Sequence, residues 1–223
     1  TSNESLQKQN VKIWNGNASR EFLDSRGLNY LAENDLGPVY GHQWRFWNAK
    51  YYNTNTNYEG KGIDQLQGII DEINKTKLTG ETSRRMIMTA WNVEQIDEMA
   101  LPPCHVLSQF HITEGNKLSC SLYQRSADMG LGVPFNIASY SFLTHLLAKH
   151  CDLEAKEFVH FIGNAHIYDD HIEALQEQVK KIPLDPPSIN IKQKKDNIDD
   201  YEFNDFEIID YNCLESIKME MRA

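Results

Sequence analysis

The sequence predicts an α+β fold, because helix and strand patterns are interspersed along it without a regular βα alternation. Apolar residues recur every three or four positions between Ile63 and Ile73, as in an amphipathic helix packed on a core. Residues 106–113 alternate in a strand pattern and are followed by a turn at 114–116 and a second strand pattern at 118–123, which predicts a β-hairpin. A chain of 223 residues fits one domain.

The boundaries of the other elements follow from capping residues and short apolar runs. Ser19 and Gly27 flank a short predicted helix, as its N-cap and as the residue just past its end. A longer helix is predicted at 135–150. The remaining predicted elements are a helix from an Asp169 or Asp170 cap to about Lys181, a short buried strand at 86–91, and strands at 158–162, 206–210 and 217–221.

Composition and charge exclude several classes of function. Hydrophobic residues make up 40% of the chain and charged residues 24%, as in soluble globular proteins. The formal net charge of −10 argues against broad binding to nucleic-acid phosphates, although a local basic pocket can still hold one small anion. No apolar run is long enough to span a bilayer, and residues 1–10 carry no signal-peptide pattern. We therefore expect a cytoplasmic protein with neither a membrane nor a DNA partner.

The cysteines are sparse and irregularly spaced, and no CxxC pair occurs among them. They are Cys104, Cys120, Cys151 and Cys213. This spacing indicates neither a zinc site nor a disulfide framework, so we predict no metal and a reducing compartment. No third ligand converges on any other candidate metal site either.

One of these cysteines lies in a setting that suits a nucleophile. In Pro-Pro-Cys-His at 102–105, the prolines fix the backbone and place Cys104 at the start of a predicted strand. A thiol reacts as its thiolate, which nearby cations favour. Taken alone, a single cysteine is more often a small buried hydrophobe, and that interpretation stays open for Cys104.

Two cationic sites could hold the small anion. Arg125 and Ser126 end the motif Tyr-Gln-Arg-Ser at 123–126, and a forked guanidinium beside a hydroxyl suits a phosphate. Arg84 and Arg85 form a second pair before a predicted strand. From the residues alone, solvated surface charge is the simpler interpretation of that second pair.

A glycine-rich stretch at 128–136 runs into the helix predicted from Phe135, but it is not a GxGxxG dinucleotide fingerprint. Asn136 at the helix entrance either caps the helix or offers its amide to the edge of a base. His166 and Tyr168 are two residues apart and face the same way in an extended chain. A core or surface role is the alternative for both.

Longer segments are far more specific than these short motifs. They lie at 35–41, 43–45, 64–66, 83–85, 90–92, 99–105, 123–126 and 128–140. Together they resemble the thymidylate synthase family, and the segments 11–26 and 123–140 look most like its eukaryotic and apicomplexan branch. The resemblance begins near Val11 and implies a mixed β-sheet with surrounding helices, in a homodimer. Family members carry further strands and helices before the position of Thr1, so it also implies a catalytic domain at 1–223 that lacks the family's N-terminal portion.

The resemblance further implies that the chain methylates dUMP to dTMP with 5,10-methylenetetrahydrofolate as cosubstrate, without a metal. A dihydrofolate reductase, fused or separate, is a possible partner. The catalytic residues would be Cys104, Tyr40, His105, Asp128 and Asn136. The substrate-binding residues would be Gln124, Arg125, Ser126, Asp128, Asn136, His166 and Tyr168, with Arg84 and Arg85 donated across the dimer interface. The folate-binding residues would be Trp14, Asn17, Asp128 and Gly132.

Two alternatives remain open from the sequence. The first is a catalytically impaired, truncated paralogue that keeps the dimer surface and binds a partner or RNA. The second is a dCMP hydroxymethylase. Those enzymes carry an aspartate where this chain has Asn136, so the asparagine disfavours the second alternative.

Overall fold

A four-stranded mixed sheet forms the centre of the fold in the computed structural model, which describes residues 2–222. Its strands, in their order across the sheet, are β1 (Ile87–Thr89), β2 (His105–Thr113), β3 (Lys117–Asp128) and β4 (Glu154–His166). The pairs β1–β2 and β2–β3 are antiparallel, whereas β4 is parallel to β3. The predicted α+β class and mixed sheet are confirmed. A separate antiparallel pair consists of β5 (Ser188–Ile191) and β6 (Phe206–Ile209).

The helices lie in the connections before, between and after these strands. Within residues 2–222 they are α1 (Asn3–Lys8), α2 (Arg20–Ser25), α3 (Tyr40–Arg45), α4 (Gln65–Thr79), α5 (Gly132–His150) and α6 (Ile172–Gln178). The Ser19 side chain accepts from the Phe22 N–H and Gly27 follows the end of α2, as predicted. No helix in this part of the chain is both long and apolar enough to cross a membrane.

Two hydrophobic clusters hold these elements together. In the first, Ile73 of α4, Leu147 of α5 and Phe110 of β2 are all fully buried against one face of the sheet. The second cluster joins the N-terminal segments, with Leu23 of α2 packed near Met99 in the connection that leads to β2. Because the two clusters adjoin α3, that helix lies between the sheet and the N-terminal segments.

Several predicted boundaries are wrong, and each has a local cause. Ile63 precedes α4 and is 62% exposed, because Asp64 caps that helix by accepting from the Gln67 N–H. The strand predicted at 86–91 is only three residues long, and at the sheet edge one of its faces is exposed. The helix predicted from Phe135 starts at Gly132.

The C-terminal part contains two further errors. Asp169 belongs to a 3₁₀ turn that runs to His171, and neither predicted aspartate caps α6 with its side chain. The helix ends at Gln178, before Lys181. Residues 217–221 form no strand, since they have no strand partner and their Glu220 carbonyl instead accepts from the His171 ring.

We predict that the buried face of α4 carries much of the stability of the first cluster. Ile73→Ala should lower the free energy of unfolding by about 2–5 kcal/mol, because it removes buried methyl groups and leaves a cavity. The matched control is Leu78→Ala on the same helix, where the side chain is 88% exposed and the loss should be within about 0.5 kcal/mol. Urea unfolding followed by circular dichroism measures both, and equal losses would contradict this assignment of the buried face.

Candidate functional site

Cys104 is held from both sides by its backbone. It lies directly before β2, where its N–H donates to the Tyr40 hydroxyl over 2.8 Å. Its carbonyl oxygen accepts from the backbone N–H of Arg125 in β3 over 2.9 Å. Helix α3 and strand β3 therefore fix the position of the thiol, although the two proline residues before it make the local chain stiff in any case.

The Arg125 side chain reinforces the same turn. Its Nε donates to the Pro103 carbonyl over 3.0 Å, and one terminal nitrogen donates to the Pro102 carbonyl over 2.8 Å. The guanidinium also lies 5.4 Å from the ring centroid of Trp91, within the range of a cation–π contact. A guanidinium has five N–H donors, so the two used here leave others for an anion.

The charge of Arg125 is not neutralised by an ion pair in the described part of the chain. This positive charge acts on the neighbouring thiol of Cys104. Burial raises the pKa of Cys104, and the positive charge of Arg125 opposes that shift. The arrangement therefore offers a half-buried thiol and an available cation side by side.

The rings of Tyr40 and His105 pack against each other next to Cys104. Their ring centroids are 5.1 Å apart, and Tyr140 of α5 meets His105 edge to face. Burial raises the pKa of Tyr40, so its hydroxyl keeps its proton while the oxygen accepts from Cys104. Burial also lowers the pKa of His105 to about 4, against a hydrogen bond with Asn136 that favours the charged ring. His105 is therefore neutral near pH 7.

Asn136 lies in the second turn of α5, so the prediction that it stands at the helix entrance is wrong. Its Oδ1 accepts from Nε2 of Gln124 over 2.8 Å. Gln124 is buried in β3, and its Oε1 lies 2.8 Å from Nε2 of His160 in β4. Hydrogen bonds between the side chains of His160, Gln124 and Asn136 thus connect the sheet to α5. This network lies beside His105.

Asp128 occupies the helix entrance instead. Its Oδ1 accepts from the Gly130 N–H, and its Oδ2 accepts from the N–H groups of Leu131 and Gly132, at 3.0 to 3.2 Å. A carboxylate is favoured at the N-terminus of a helix, where free N–H groups and the helix dipole meet. Asp128 thereby holds the glycine-rich turn against the end of β3.

His166 lies opposite Asp128 in the parallel pairing of β4 with β3. The ring of Tyr168 is 5.3 Å from that of His166 and packs edge to face on it, in agreement with the expectation that the two share a side. The C-terminal segment joins this end of the sheet, because His171 contacts the Glu220 carbonyl and Arg222 pairs with Asp170.

The predicted folate residues lie on the other side of Tyr40. The Trp14 ring is 6.3 Å from that of Tyr40, in an edge-to-face arrangement. Asn17 is buried, and its Nδ2 donor has no partner within residues 2–222. A buried amide without a partner is costly, so a polar ligand edge would stabilise this position.

Arg84 and Arg85 are separated from this group. Both are exposed, and the Arg84 carbonyl accepts from Gln109, which is five residues along β2 from Cys104. At ~3.3 Å per residue, that spacing corresponds to about 16 Å. The two arginines thus do not join the cluster around Cys104 within one subunit.

Comparisons with known proteins agree with the motifs. A family model described as thymidylate synthase matches residues 1–223. The chain is 51% identical to a thymidylate synthase of Saccharomyces cerevisiae over 97% of its length and 72% of the relative's, and 52% identical to one of Herpesvirus ateles over 99% and 74%. The chain belongs to the thymidylate synthase family.

Bifunctional dihydrofolate reductase-thymidylate synthases are also similar to this family member. The protein of Paramecium tetraurelia is 49% identical over 99% of the chain, which covers 46% of that relative. The chain thus spans less than half of this bifunctional relative and about three quarters of the two single-function synthases. The family match also includes residues 1–10, so it extends beyond the start near Val11 that the motifs indicate.

Sequence reasoning missed several residues that this thymidylate synthase family member places at the site. They are Trp91, Tyr140, His160 and His171, together with the carbonyl groups of Pro102 and Pro103. Trp91 lies within the motif at 90–92, and an aromatic ring in such a motif is a sequence signal for a contact with a cation. The carbonyl groups had no signal, because every residue carries one. Within residues 2–222, no cluster of potential ligands suitable for a metal ion was found.

We predict that Arg125 governs the thiol titration of Cys104. Alkylation by iodoacetamide, followed at Cys104 by mass spectrometry, should rise with pH to a midpoint above that of an unstructured cysteine peptide, at about 8.5. Arg125→Met should move the midpoint higher, because only the thiolate reacts and its neighbouring cation is lost. Arg125→Lys, which keeps the charge, is the matched control. A midpoint that stays the same in the methionine variant would refute the electrostatic role.

Proposed function

We propose that this chain forms the active site of a thymidylate synthase, which methylates dUMP to dTMP. The observation that carries the proposal is the position of Cys104, held between Tyr40 and Arg125 beside the amide network of Asn136. Membership of the family supports the same reaction. Cys104 is the proposed nucleophile, and its sulfur adds to carbon 6 of the pyrimidine, which makes carbon 5 nucleophilic.

The surrounding residues have proposed roles in this step. Arg125 favours the thiolate of Cys104, since its positive charge opposes the effect of burial on the pKa. Tyr40 and His105 belong to the network that moves protons at the pyrimidine. Both are suited to hold a proton at a defined atom, because burial keeps the tyrosine protonated and the histidine neutral near pH 7.

Asn136 is the proposed reader of the pyrimidine edge. An amide can donate to O4 of uracil and accept from its N3–H, and Gln124 holds the amide from behind. The sugar hydroxyl is assigned to His166 and Tyr168, whose rings are in contact at the same end of the sheet as Asp128. The role of Asn136 favours dUMP over dCMP.

The phosphate of dUMP is assigned to Arg125 and Ser126, and to Arg84 and Arg85 from a partner subunit. The separation of the second pair from Cys104 supports donation to another subunit. A homodimer is further supported by an exposed apolar face of the sheet. The strand register places Ile87, Tyr123 and Phe161 on that face, with exposures of 46%, 44% and 56%. Exposed apolar patches of this kind are typical of interfaces.

Methylenetetrahydrofolate is the proposed cosubstrate and supplies the methylene carbon and the hydride. Trp14, Asn17, Asp128 and Gly132 are the residues assigned to it. The buried, unpartnered Nδ2 of Asn17 fits a polar ligand at this position. Asp128 is assigned to the cosubstrate from the N-terminus of α5, where it accepts from the Gly132 N–H and where an added Cβ at Gly132 would lie 3.3 Å from the Asp128 Cβ.

The remaining proposals concern the context of the chain. Residues 1–223 act as one catalytic domain in the cytoplasm. A dihydrofolate reductase, fused or separate, is the proposed functional partner, because bifunctional proteins occur among the relatives. Such an enzyme would consume the dihydrofolate that the synthase reaction produces.

We predict a covalent adduct at Cys104. Incubation with dUMP that carries fluorine at carbon 5, together with methylenetetrahydrofolate, should trap the enzyme, because fluorine cannot leave as the proton does. Intact-protein mass spectrometry detects the mass increase and peptide mapping locates it. Cys104→Ser should lose at least about 1000-fold in turnover and form no adduct. The control Cys213→Ser, at an exposed cysteine, should react like the wild type. An adduct at another cysteine would overturn the assignment.

A second prediction concerns the choice of base. Asn136→Asp should shift preference from dUMP toward dCMP by about 1–3 kcal/mol in relative binding free energy, since each mismatched buried polar group carries a cost of that size. Isothermal titration calorimetry with both nucleotides measures the ratio of the two dissociation constants. An unchanged ratio would remove Asn136 from base recognition. Asn55→Asp, at an exposed position outside the site, controls for the added charge.

A further inference from the structure

A partly buried chain of hydrogen bonds leads from Asn136 to a residue that the proposed reaction does not use. Gln124 in β3 is 2% exposed, and its side chain contacts three groups at 2.8 Å. Those groups are the Ser126 carbonyl oxygen, Oδ1 of Asn136 and Nε2 of His160. The first of the three has no proton, so it can only accept.

That single carbonyl group determines the direction of every bond in the chain. Gln124 must present its NH₂ group to the Ser126 oxygen, which places Oε1 toward His160. His160 must therefore donate from Nε2. The second N–H of the Gln124 amide points to Asn136, which must present Oδ1, because a flipped Asn136 would bring two donors together.

Burial lowers the pKa of His160, so its ring is neutral near pH 7. A neutral ring is suited to this role. A neutral imidazole carries its proton on one nitrogen only, and here the proton is required on Nε2. His160 is half-buried in β4, and the parallel register places it opposite Leu122 of β3. Because Gln124 is two residues further along β3, its side chain lies on the same face of the sheet as His160. The tautomer is thus a structural property of the network.

The orientation of Asn136 matters for the base, since uracil and cytosine present opposite patterns. Uracil offers an acceptor at O4 and a donor at N3, and an amide with a fixed oxygen and nitrogen complements that pair. Cytosine offers a donor at N4 and an acceptor at N3, so it requires the flipped amide. The Asn136 oxygen has two lone pairs and can accept from Gln124 and from a base together.

We propose that His160 is a positioning residue which, through Gln124, locks the Asn136 amide in the orientation that selects uracil over cytosine. The proposal rests on the proposed function, in which Asn136 reads the pyrimidine. His160 itself does not touch the base. Without its donor, the Gln124 oxygen has no partner, so the orientation that the Ser126 carbonyl favours loses one hydrogen bond and becomes less stable relative to the one in which both amides have turned over.

The first arm of the test observes the network without any ligand. Selective ¹⁵N labelling of histidine, with the His160 signals assigned by their loss in His160→Gln, reports the tautomer from the two ring nitrogen shifts. The expected result above the pKa of His160 is a protonated Nε2 and an unprotonated Nδ1. A proton on Nδ1, or an average between the two tautomers, would overturn the proposal.

The second arm measures the ratio of dissociation constants for dCMP and dUMP by calorimetry. His160→Phe keeps a ring but removes the donor, and it should lower the ratio roughly tenfold. His160→Gln can donate from its amide and should restore the ratio. The matched control His145→Phe lies at an exposed position on α5 and should leave the ratio unchanged.

Each outcome of the binding arm has a defined meaning. An equal loss of affinity for both nucleotides in His160→Phe, or an unchanged ratio, would show that His160 has no part in selecting the base. If the wild-type protein binds neither nucleotide, the proposed function is wrong. The ¹⁵N measurement of the His160 tautomer would then still show whether the hydrogen-bond network exists. If His160→Phe does not fold, His160→Leu, which also lacks a donor, takes its place in the binding arm, and the wild-type tautomer is measured as before.

Discussion

The candidate site depends on the hydrogen bonding of β3 along both of its edges. Successive side chains of a strand point to opposite sides of the sheet, and the pairing with β2 and β4 fixes which residues of β3 lie on each side. Gln124 therefore meets α5, and Arg125 meets the carbonyl groups that precede Cys104. A slip of one residue would exchange these faces and separate both side chains from their partners.

The thiol at the end of this arrangement is subject to two opposing effects. Burial disfavours the charged form of Cys104, whereas the guanidinium of Arg125 favours it. The same guanidinium holds the carbonyl groups of the two prolines, so one side chain fixes both the position and the charge state of the cysteine. An acidic protein with a net charge of −10 can in this way keep one strongly local positive site.

Local signals predicted those elements whose cause is local. The Ser19 cap, the turn before Lys117 and the apolar stripe of α4 all correspond to observed features. The failures have a common origin, because periodicity does not show where a cap acts or whether a strand has a partner. Asp64 excludes Ile63 from α4, and residues 217–221 alternate in polarity but meet His171 instead of a strand.

By itself, the sequence determined the α+β class, the thymidylate synthase motifs and the residues to consider, from Cys104 to Asn136, since these depend on residue type and spacing. Only the tertiary structure decided how those residues are oriented. The direction of the bonds between Gln124, Asn136 and His160 follows from atoms that the sheet and α5 bring within 2.8 Å. The direction of a hydrogen bond depends on the relative positions of its donor and acceptor atoms. When those atoms belong to residues far apart in the chain, no local sequence pattern indicates their positions.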